Sequence, residues 1–186
     1  MVIKRKIVME NPSGSIPAFG AFVDRLPAAL SNGFARQTEV SGSPSERAEH
    51  LLVNASQECG YHTGRGIVAS GEWQAEQAPE DILRGAFAAL REWGWADSEI
   101  VELVPRERLV VRAGAYFESD ADIYGTSPKP CAYMLRGISA AFMDLAYGGQ
   151  YDATGRTGLG TFHSVQTKGI ECGDEHGEFV VTRSVA

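Results

Sequence analysis

The chain has 186 residues, of which 44% are hydrophobic and 22% are charged, and its formal net charge is -7. This length and composition are typical of one globular domain with a sizeable core. The negative charge argues against general electrostatic binding to nucleic acid or anionic membranes, and no apolar run approaches the roughly 20 residues needed to cross a bilayer.

The N-terminal segment is predicted to be a strand followed by a short helix. Met1–Met9 is basic, but three cations interrupt its apolar residues, so it lacks the continuous apolar segment of a signal peptide. A turn at Asn11–Gly14 then precedes a short helix over Ile16–Leu30, which contains two prolines. We expect residues 1–42 to form this strand and helix, and residues 43–186 to form the main body of a single domain.

The main body is predicted to begin with a long helix. Ser43 caps it, Pro44 suits its first position, and Glu46 completes a capping box. Its apolar positions recur at helical spacing, and these are Ala48, Leu51, Leu52, Ala55 and Cys59. Three glycines follow, Gly60, Gly64 and Gly66, and glycine weakens helices. We therefore expect the helix to bend or end there.

Two further helices and two hairpins follow. The second helix is predicted from Pro79 to Gly94, and the third from Ser127–Pro128 to Gly148–Gly149. Strand-like segments are Glu99–Val104, Arg108–Glu118, Thr161–Gly169 and Glu178–Val185. This order predicts an α+β fold, with a twisted antiparallel sheet of about four to five strands packed against a layer of four or so helices.

The three cysteines indicate a reducing compartment. Cys59, Cys131 and Cys172 are odd in number and widely spaced, with no CxxC pair. A disulfide framework would need an even set at closer spacing. We therefore expect free thiols and a cytoplasmic location.

The last third of the chain resembles the 4-vinyl reductase or hydrocarbon-binding domain. Cys131–Gly137 and the helix after it look like the central helix of that family, and Val165–Val181 resembles its closing hairpin. The resemblance implies a fold shared with TRAPP tethering-complex subunits and a ligand pocket between helices and sheet. Relatives include phenol- and toluene-sensing modules, and proteins linked to vinyl reduction in bacteriochlorophyll synthesis.

The resemblance also implies a metal position that this chain does not keep. The family often holds a structural zinc through a Cys before the helix, then a Glu and two Cys in the hairpin. Cys131 fits the first position, but the others fall on Gln166, Gly169 and Gly177. One suitable ligand cannot make a tetrahedral site, so we predict no zinc there. A shifted site is an alternative, built from Cys172, His163 and His176.

Candidate catalytic groups are few. Cys59 and His62 lie three residues apart, and a thiol beside an imidazole is the usual arrangement of an activated nucleophile. Glu72 could place a carboxylate at a pocket rim, and His163 could add a second imidazole. Ordinary packing explains each of these residues as well, because no third, orienting group is visible near Cys59.

Candidate ligand-binding residues are mostly aromatic. Tyr116, Tyr133 and Phe142 could line a cavity, although most aromatic side chains in a domain of this size belong to its core. Trp73 follows Glu72, and Arg136 lies within the segment that matches the family. These two residues complete the predicted binding set.

Three functions fit these observations. The first is a sensor or carrier that binds a small, largely apolar ligand, which would be aromatic, lipid-like or a tetrapyrrole, and passes its signal to a partner. The second is a small enzyme that acts on such a ligand. The third is a scaffold that forms a homodimer through its helices. No nicotinamide or flavin motif is present, so no cofactor is predicted. The spacing favours the binder, because no catalytic constellation emerges from it.

Overall fold

The computed structural model describes residues 43–70, 78–120, 123, 125–149 and 158–184. The predicted N-terminal strand and helix, together with Glu72 and Trp73, lie outside these ranges. The elements, in chain order, are α1 (Pro44–Ser70), α2 (Pro79–Glu92), β1 (Ala96–Val104), β2 (Arg108–Tyr116), α3 (Tyr133–Tyr147), β3 (Phe162–Lys168) and β4 (Gly177–Arg183). The predicted α+β class is confirmed, with three α-helices and four strands in the described ranges.

The four strands form one antiparallel sheet in the order β1-β2-β4-β3. Two hairpins, β1–β2 and β3–β4, therefore join through β2 and β4. One face of the sheet carries the large, fully buried side chains, which are Leu109, Val111, Phe162, Phe179 and Val181. Successive side chains of a strand point to opposite faces of the sheet, so buried and exposed residues alternate along the strands. The helices cover the face that carries the buried side chains, and the other face meets solvent.

Helix α3 is the centre of the fold. It packs against α1, α2, β3 and β4. Most of its residues from Leu135 to Asp144 are buried, as expected for a helix enclosed by neighbours on several sides. Within the described ranges, no helix is long and apolar enough to cross a membrane.

The sequence predicted that α1 would bend or end at its three glycines, but these residues do not end the helix. The helix continues to Ser70, and two of the glycines lie against α3. A β-carbon added at Gly60 would lie 3.1 Å from Ala141 Cβ, and one at Gly64 would lie 2.7 Å from Leu145 Cδ2. Glycine at these positions allows α1 and α3 to pack closely, and that contact offsets the low helix propensity of glycine.

Helix α3 begins at Tyr133, five residues after the predicted Ser127–Pro128 start. Ser127 Oγ instead accepts a hydrogen bond from Lys129 N–H and donates one to Lys129 O, which forms a local turn. Pro130 then disfavours a helical conformation at Lys129, the residue before it. The helix consequently starts only after the second proline.

Asp144 joins three elements from the buried side of α3. Its carboxylate accepts hydrogen bonds from Phe162 N–H and Gly160 N–H, each at 2.8 Å, and from Gln57 Nε2 at 2.7 Å. Asp144 is only 1% exposed, so these donors replace the water that the carboxylate loses on folding. The contacts attach α1 and the start of β3 to α3.

A glycine-to-alanine pair tests the contact between α1 and α3. A β-carbon at Gly137 would lie 2.1 Å from Ser56 Oγ and 2.2 Å from Val53 O, so Gly137→Ala should lower the free energy of unfolding by about 3 kcal/mol. Gly66 also lies in a helix but has no atom within 4 Å of its added β-carbon. Gly66→Ala should therefore raise the free energy by about 0.5–1 kcal/mol. Urea denaturation measures both, and equal effects would contradict the close helix contact.

Candidate functional site

A cleft between α1, α2 and α3 is the candidate site. Its floor is formed by Ile138 and Phe142 of α3, and Trp93 and Trp95 contribute further aromatic surface. The remaining lining residues come from the facing turns of α1 and α2, and these are Gly60, Thr63, Gly64, Ile67, Ala86, Ala89 and Leu90. No titratable side chain is among these described lining residues. The cleft therefore suits an apolar, uncharged ligand.

The cleft is narrow in this conformation. It encloses about 390 Å³ when its open mouth is included, but the interior has room for only about one or two water molecules. An aromatic ligand would therefore need lining side chains to move apart as it enters. Phe142 packs edge-on against Phe87 at 5.1 Å between ring centroids, which holds the floor in place.

Thr63 supplies the polar feature of this lining. The residue is 5% exposed, and its Oγ1 is buried without a hydrogen-bond partner. A buried hydroxyl of this kind costs free energy that a well-packed core would avoid. Sequence analysis did not identify Thr63, because a threonine within a helical pattern gives no sign that its hydroxyl lacks a partner.

The predicted nucleophile and base lie beside the cleft without lining it. Cys59 belongs to the buried core and is 1% exposed, next to Gly60 of the lining. The His62 ring is half-buried and meets the Tyr61 ring edge-on, with 5.5 Å between centroids. His163 lies on the exposed face of β3, where its Nε2 is 3.2 Å from Thr182 Oγ1. The sheet therefore separates His163 from Cys59 and His62.

Of the predicted binding residues, only Phe142 lines the cleft in the described part of the chain. Tyr133 and Arg136 lie near the first turn of α3, with the guanidinium 5.9 Å from the centre of the tyrosine ring. Arg136 also forms an ion pair with Glu49 of α1. Trp93 and Trp95 were not among the predicted binding residues, and their position directly after α2 in the sequence is the signal that could have placed them.

Tyr116 belongs to a buried polar cluster at the start of α3. Its hydroxyl donates to Glu171 Oε2 and accepts from Ile170 N–H at 3.0 Å. Gln166 Nε2 donates to Glu171 Oε1 at 2.8 Å, and Gln166 Oε1 accepts from Ala132 N–H at 2.9 Å. Burial is the main cause of the raised pKa of the Tyr116 hydroxyl, which therefore stays protonated. The cluster joins β2, β3 and the start of α3.

This polar cluster fills the position that the family resemblance assigns to zinc ligands. A β-carbon at Gly169 would lie 2.6 Å from Glu171 Oε1, and one at Gly177 would lie 2.6 Å from the Tyr116 ring. Longer side chains at these glycines would collide with the cluster. Within the described residues, no group of three or more His, Cys, Asp or Glu side chains could hold a metal ion. The residues present here do not fit zinc, and neither this position nor Cys172, His163 and His176 provides a ligand set.

Glu118 completes the polar contacts at the start of α3. Its carboxylate accepts from Met134 N–H and Leu135 N–H, each at 2.9 Å, and so satisfies two backbone donors of the first turn. Burial raises the pKa of this carboxyl to about 7, with a smaller contribution from the charge of Glu171. Burial likewise raises the pKa of Asp144 to about 6.

Comparison with known proteins identifies the fold. No family model matches the chain, and no curated protein matches it. A crystal structure of the phenol-responsive sensory domain of the transcription activator PoxR with phenol is similar, with a TM-score of 0.55 and 13% sequence identity. The similarity covers 83% of this chain and 74% of that chain. At this identity the similarity shows a shared fold.

Removing the unpartnered hydroxyl should stabilise the free protein. Thr63→Val replaces the hydroxyl with a methyl group of similar size, so the free energy of unfolding should rise by about 1 kcal/mol. Thr63→Ser keeps the hydroxyl and loses the methyl, so it should be less stable than wild type. Urea denaturation measures both variants. A less stable Thr63→Val would show that the hydroxyl has a partner after all.

The raised carboxyl pKa values predict a loss of stability with increasing pH. A carboxyl whose pKa is higher in the folded than in the unfolded state binds its proton more tightly when folded, so deprotonation favours unfolding. The free energy of unfolding should therefore receive a falling contribution between pH 5 and about 7, from Asp144 and then Glu118. Glu118→Gln should reduce this dependence. Denaturation of wild type and Glu118→Gln at pH 5 and pH 7.5 measures this dependence. An equal change in the free energy of unfolding between the two pH values for both proteins would contradict the assignment.

Proposed function

We propose that this chain binds a small, largely apolar molecule in the cleft between α1, α2 and α3, and acts as a sensor or carrier. The observation that supports this most directly is the lining of the cleft, which exposes almost only apolar surface and includes no charged side chain. Binding sites for such ligands combine apolar walls with a few polar groups that orient the ligand.

The shared fold favours the sensory form of this function. The similar structure is that of a phenol-responsive sensory domain with phenol. The likeness is one of fold, so it supports the class of function and does not transfer phenol to this chain. Membership of the 4-vinyl reductase or hydrocarbon-binding family is part of the same proposal, and it rests on the segment from Cys131 to Val181.

The alternative of a small enzyme receives less support from the described residues. Cys59 lies in the core rather than in the cleft, and His163 lies on the far face of the sheet. An active site needs at least two reactive groups within reach of one cavity and of each other. A homodimer, an output partner and a cytoplasmic location remain predictions from the sequence.

A titration with ethylbenzene tests the proposed site. Two of the three tryptophans, Trp93 and Trp95, line the cleft, so tryptophan fluorescence should change saturably as the ligand enters. Ala89 also lines the cleft and is half-buried, whereas its neighbour Ala88 is exposed. Ala89→Phe should fill the space and weaken binding at least about 10-fold, because one ring cannot share so small a cavity with another.

Ala88→Phe is the matched control, since it adds the same ring to the solvent side of the same helix turn. Its affinity should equal that of wild type. Equal affinity in both variants, or no saturable fluorescence change in wild type over the solubility range of ethylbenzene, would refute binding in this cleft.

A further inference from the structure

We propose that the basic N-terminal segment, residues 2–9, pairs with the outer edge of β1 as a further strand of the sheet. This inference is independent of the proposed cleft, and it assigns an interaction surface together with its occupant. Three features lead to it. β1 is an open edge in the described part of the chain, this edge is acidic, and the N-terminal segment has the length, pattern and charge to cover it.

The opposite edge of the sheet, along β3, is closed by side chains from the helices. Asp144 accepts a hydrogen bond from Phe162 N–H at 2.8 Å, and Gln57 Nε2 donates to Phe162 O at 2.9 Å. Arg136 Nε donates to Ser164 O at 3.4 Å. These side chains satisfy backbone groups along the edge, so little of the β3 edge is left for another strand.

The edge along β1 is open in the part of the chain that the structure describes. β1 has nine residues and pairs with β2, and no described group outside β2 bonds to the backbone of residues 96–103. An edge strand presents a row of unsatisfied N–H and C=O groups, and proteins usually cover or interrupt such edges. Ile100 and Leu103 pack against the core but stay half-buried, so a neighbouring strand would remove more of their surface from water.

The open edge of β1 carries exposed carboxylates. Val101 is an extra residue in the register with β2, so Glu99 and Glu102 lie on the same face of the sheet. Their carboxylates lie 3.8 Å from Arg112 and 3.4 Å from Arg108, yet their side chains remain 65% and 47% exposed. Both arginines belong to β2, and no other described cation pairs with either carboxylate. The negative charge is therefore still available to a cation on the side of the open edge.

The N-terminal segment has the sequence pattern of a strand that fits such an edge. Four of its eight residues are β-branched, and its length is close to that of β1. In an extended conformation, Lys4 and Lys6 lie on one face of the segment. Ile3 and Ile7 then lie on the other face. One face is therefore cationic between two valines, and the other is mainly apolar.

Both faces of the N-terminal segment find complementary partners on β1. The extra residue in β1 brings Glu99 and Glu102 to the spacing of two strand residues, which is the spacing of Lys4 and Lys6. Opposite charges on neighbouring strands stabilise their pairing. With the lysines beside these carboxylates, the two isoleucines of the segment fall on the core side of the sheet, next to the half-buried apolar side chains of β1.

The connecting chain is long enough for the N-terminal segment to reach β1 of its own chain. The 13 residues 31–43, between the predicted N-terminal helix and α1, can span about 40 Å when extended. That distance is comparable to the diameter of a small domain.

Zero-length cross-linking tests the pairing directly. A carbodiimide joins a lysine amine to a carboxylate that contacts it, and the chain has four lysines, which are Lys4, Lys6, Lys129 and Lys168. Treatment of the full chain, followed by peptide mass spectrometry, should join a lysine of the N-terminal segment to Glu99 or Glu102. The ion pair of Lys129 with Glu49, at 3.2 Å, provides a positive control within the same molecule. Cross-linking of this control pair without any cross-link from the segment to β1 would overturn the proposal.

The same experiment shows which chain supplies the strand. Protein with light and heavy isotope labels is refolded as a mixture and then cross-linked. The proposal predicts that the cross-linked peptides from the N-terminal segment and β1 carry the same label. Cross-links that join light to heavy peptides as often as they join peptides of one label would overturn it, because a second copy would then occupy the edge.

A proline substitution provides an independent test in the full chain. Arg5→Pro removes a backbone donor from the middle of the N-terminal segment, whereas Arg5→Ala removes the same charge and keeps the donor. Hydrogen exchange of the β1 amides should be at least about 10-fold faster in Arg5→Pro than in Arg5→Ala, while the amides of β4 exchange equally in both. Equal exchange of the β1 amides in the two variants would contradict the pairing.

Discussion

Helix α1 packs closely against α3 at Gly137, where any β-carbon would lie 2.1 Å from Ser56 Oγ. Helix α3 also packs against α2, β3 and β4, so this contact joins α1 to the centre of the described fold. The cleft lies between α1 and α2, over the floor provided by Ile138 and Phe142 of α3.

The two ends of α3 are fixed by polar contacts of different kinds. At the start, Glu118, Gln166 and Glu171 accept hydrogen bonds from backbone N–H groups at Cys131 to Leu135. Near the end, Asp144 accepts from the loop that enters β3. These buried carboxylates anchor α3 at both ends through hydrogen bonds within the chain. The arrangement leaves the middle of α3 apolar, and this is the part that forms the floor of the cleft.

Much of this fold could be predicted from local signals. Alternating hydrophobic residues and turn residues predicted both hairpins, and Pro79 with its acidic neighbours predicted where α2 begins. The errors arose where tertiary contacts decide the outcome. Gly60 and Gly64 resemble helix breakers in sequence, but they are contact points for α3. Asp144 interrupts the apolar run from Ile138 to Leu145, and this was a signal for a buried polar contact. The unpartnered hydroxyl of Thr63 has no signal in sequence, because only the packed structure shows which donors and acceptors surround it.

The central claim is that the cleft between the three helices is where a ligand binds. Nuclear Overhauser contacts between benzyl alcohol and the protein methyl groups test it most directly, because methyl groups line the cleft and also cover the open face of the sheet. The account predicts contacts from the ligand ring to methyl groups of Ile67, Leu90 and Ile138, which line the cleft. Contacts instead to Val165, which is 48% exposed on the outer face of the sheet, would contradict it.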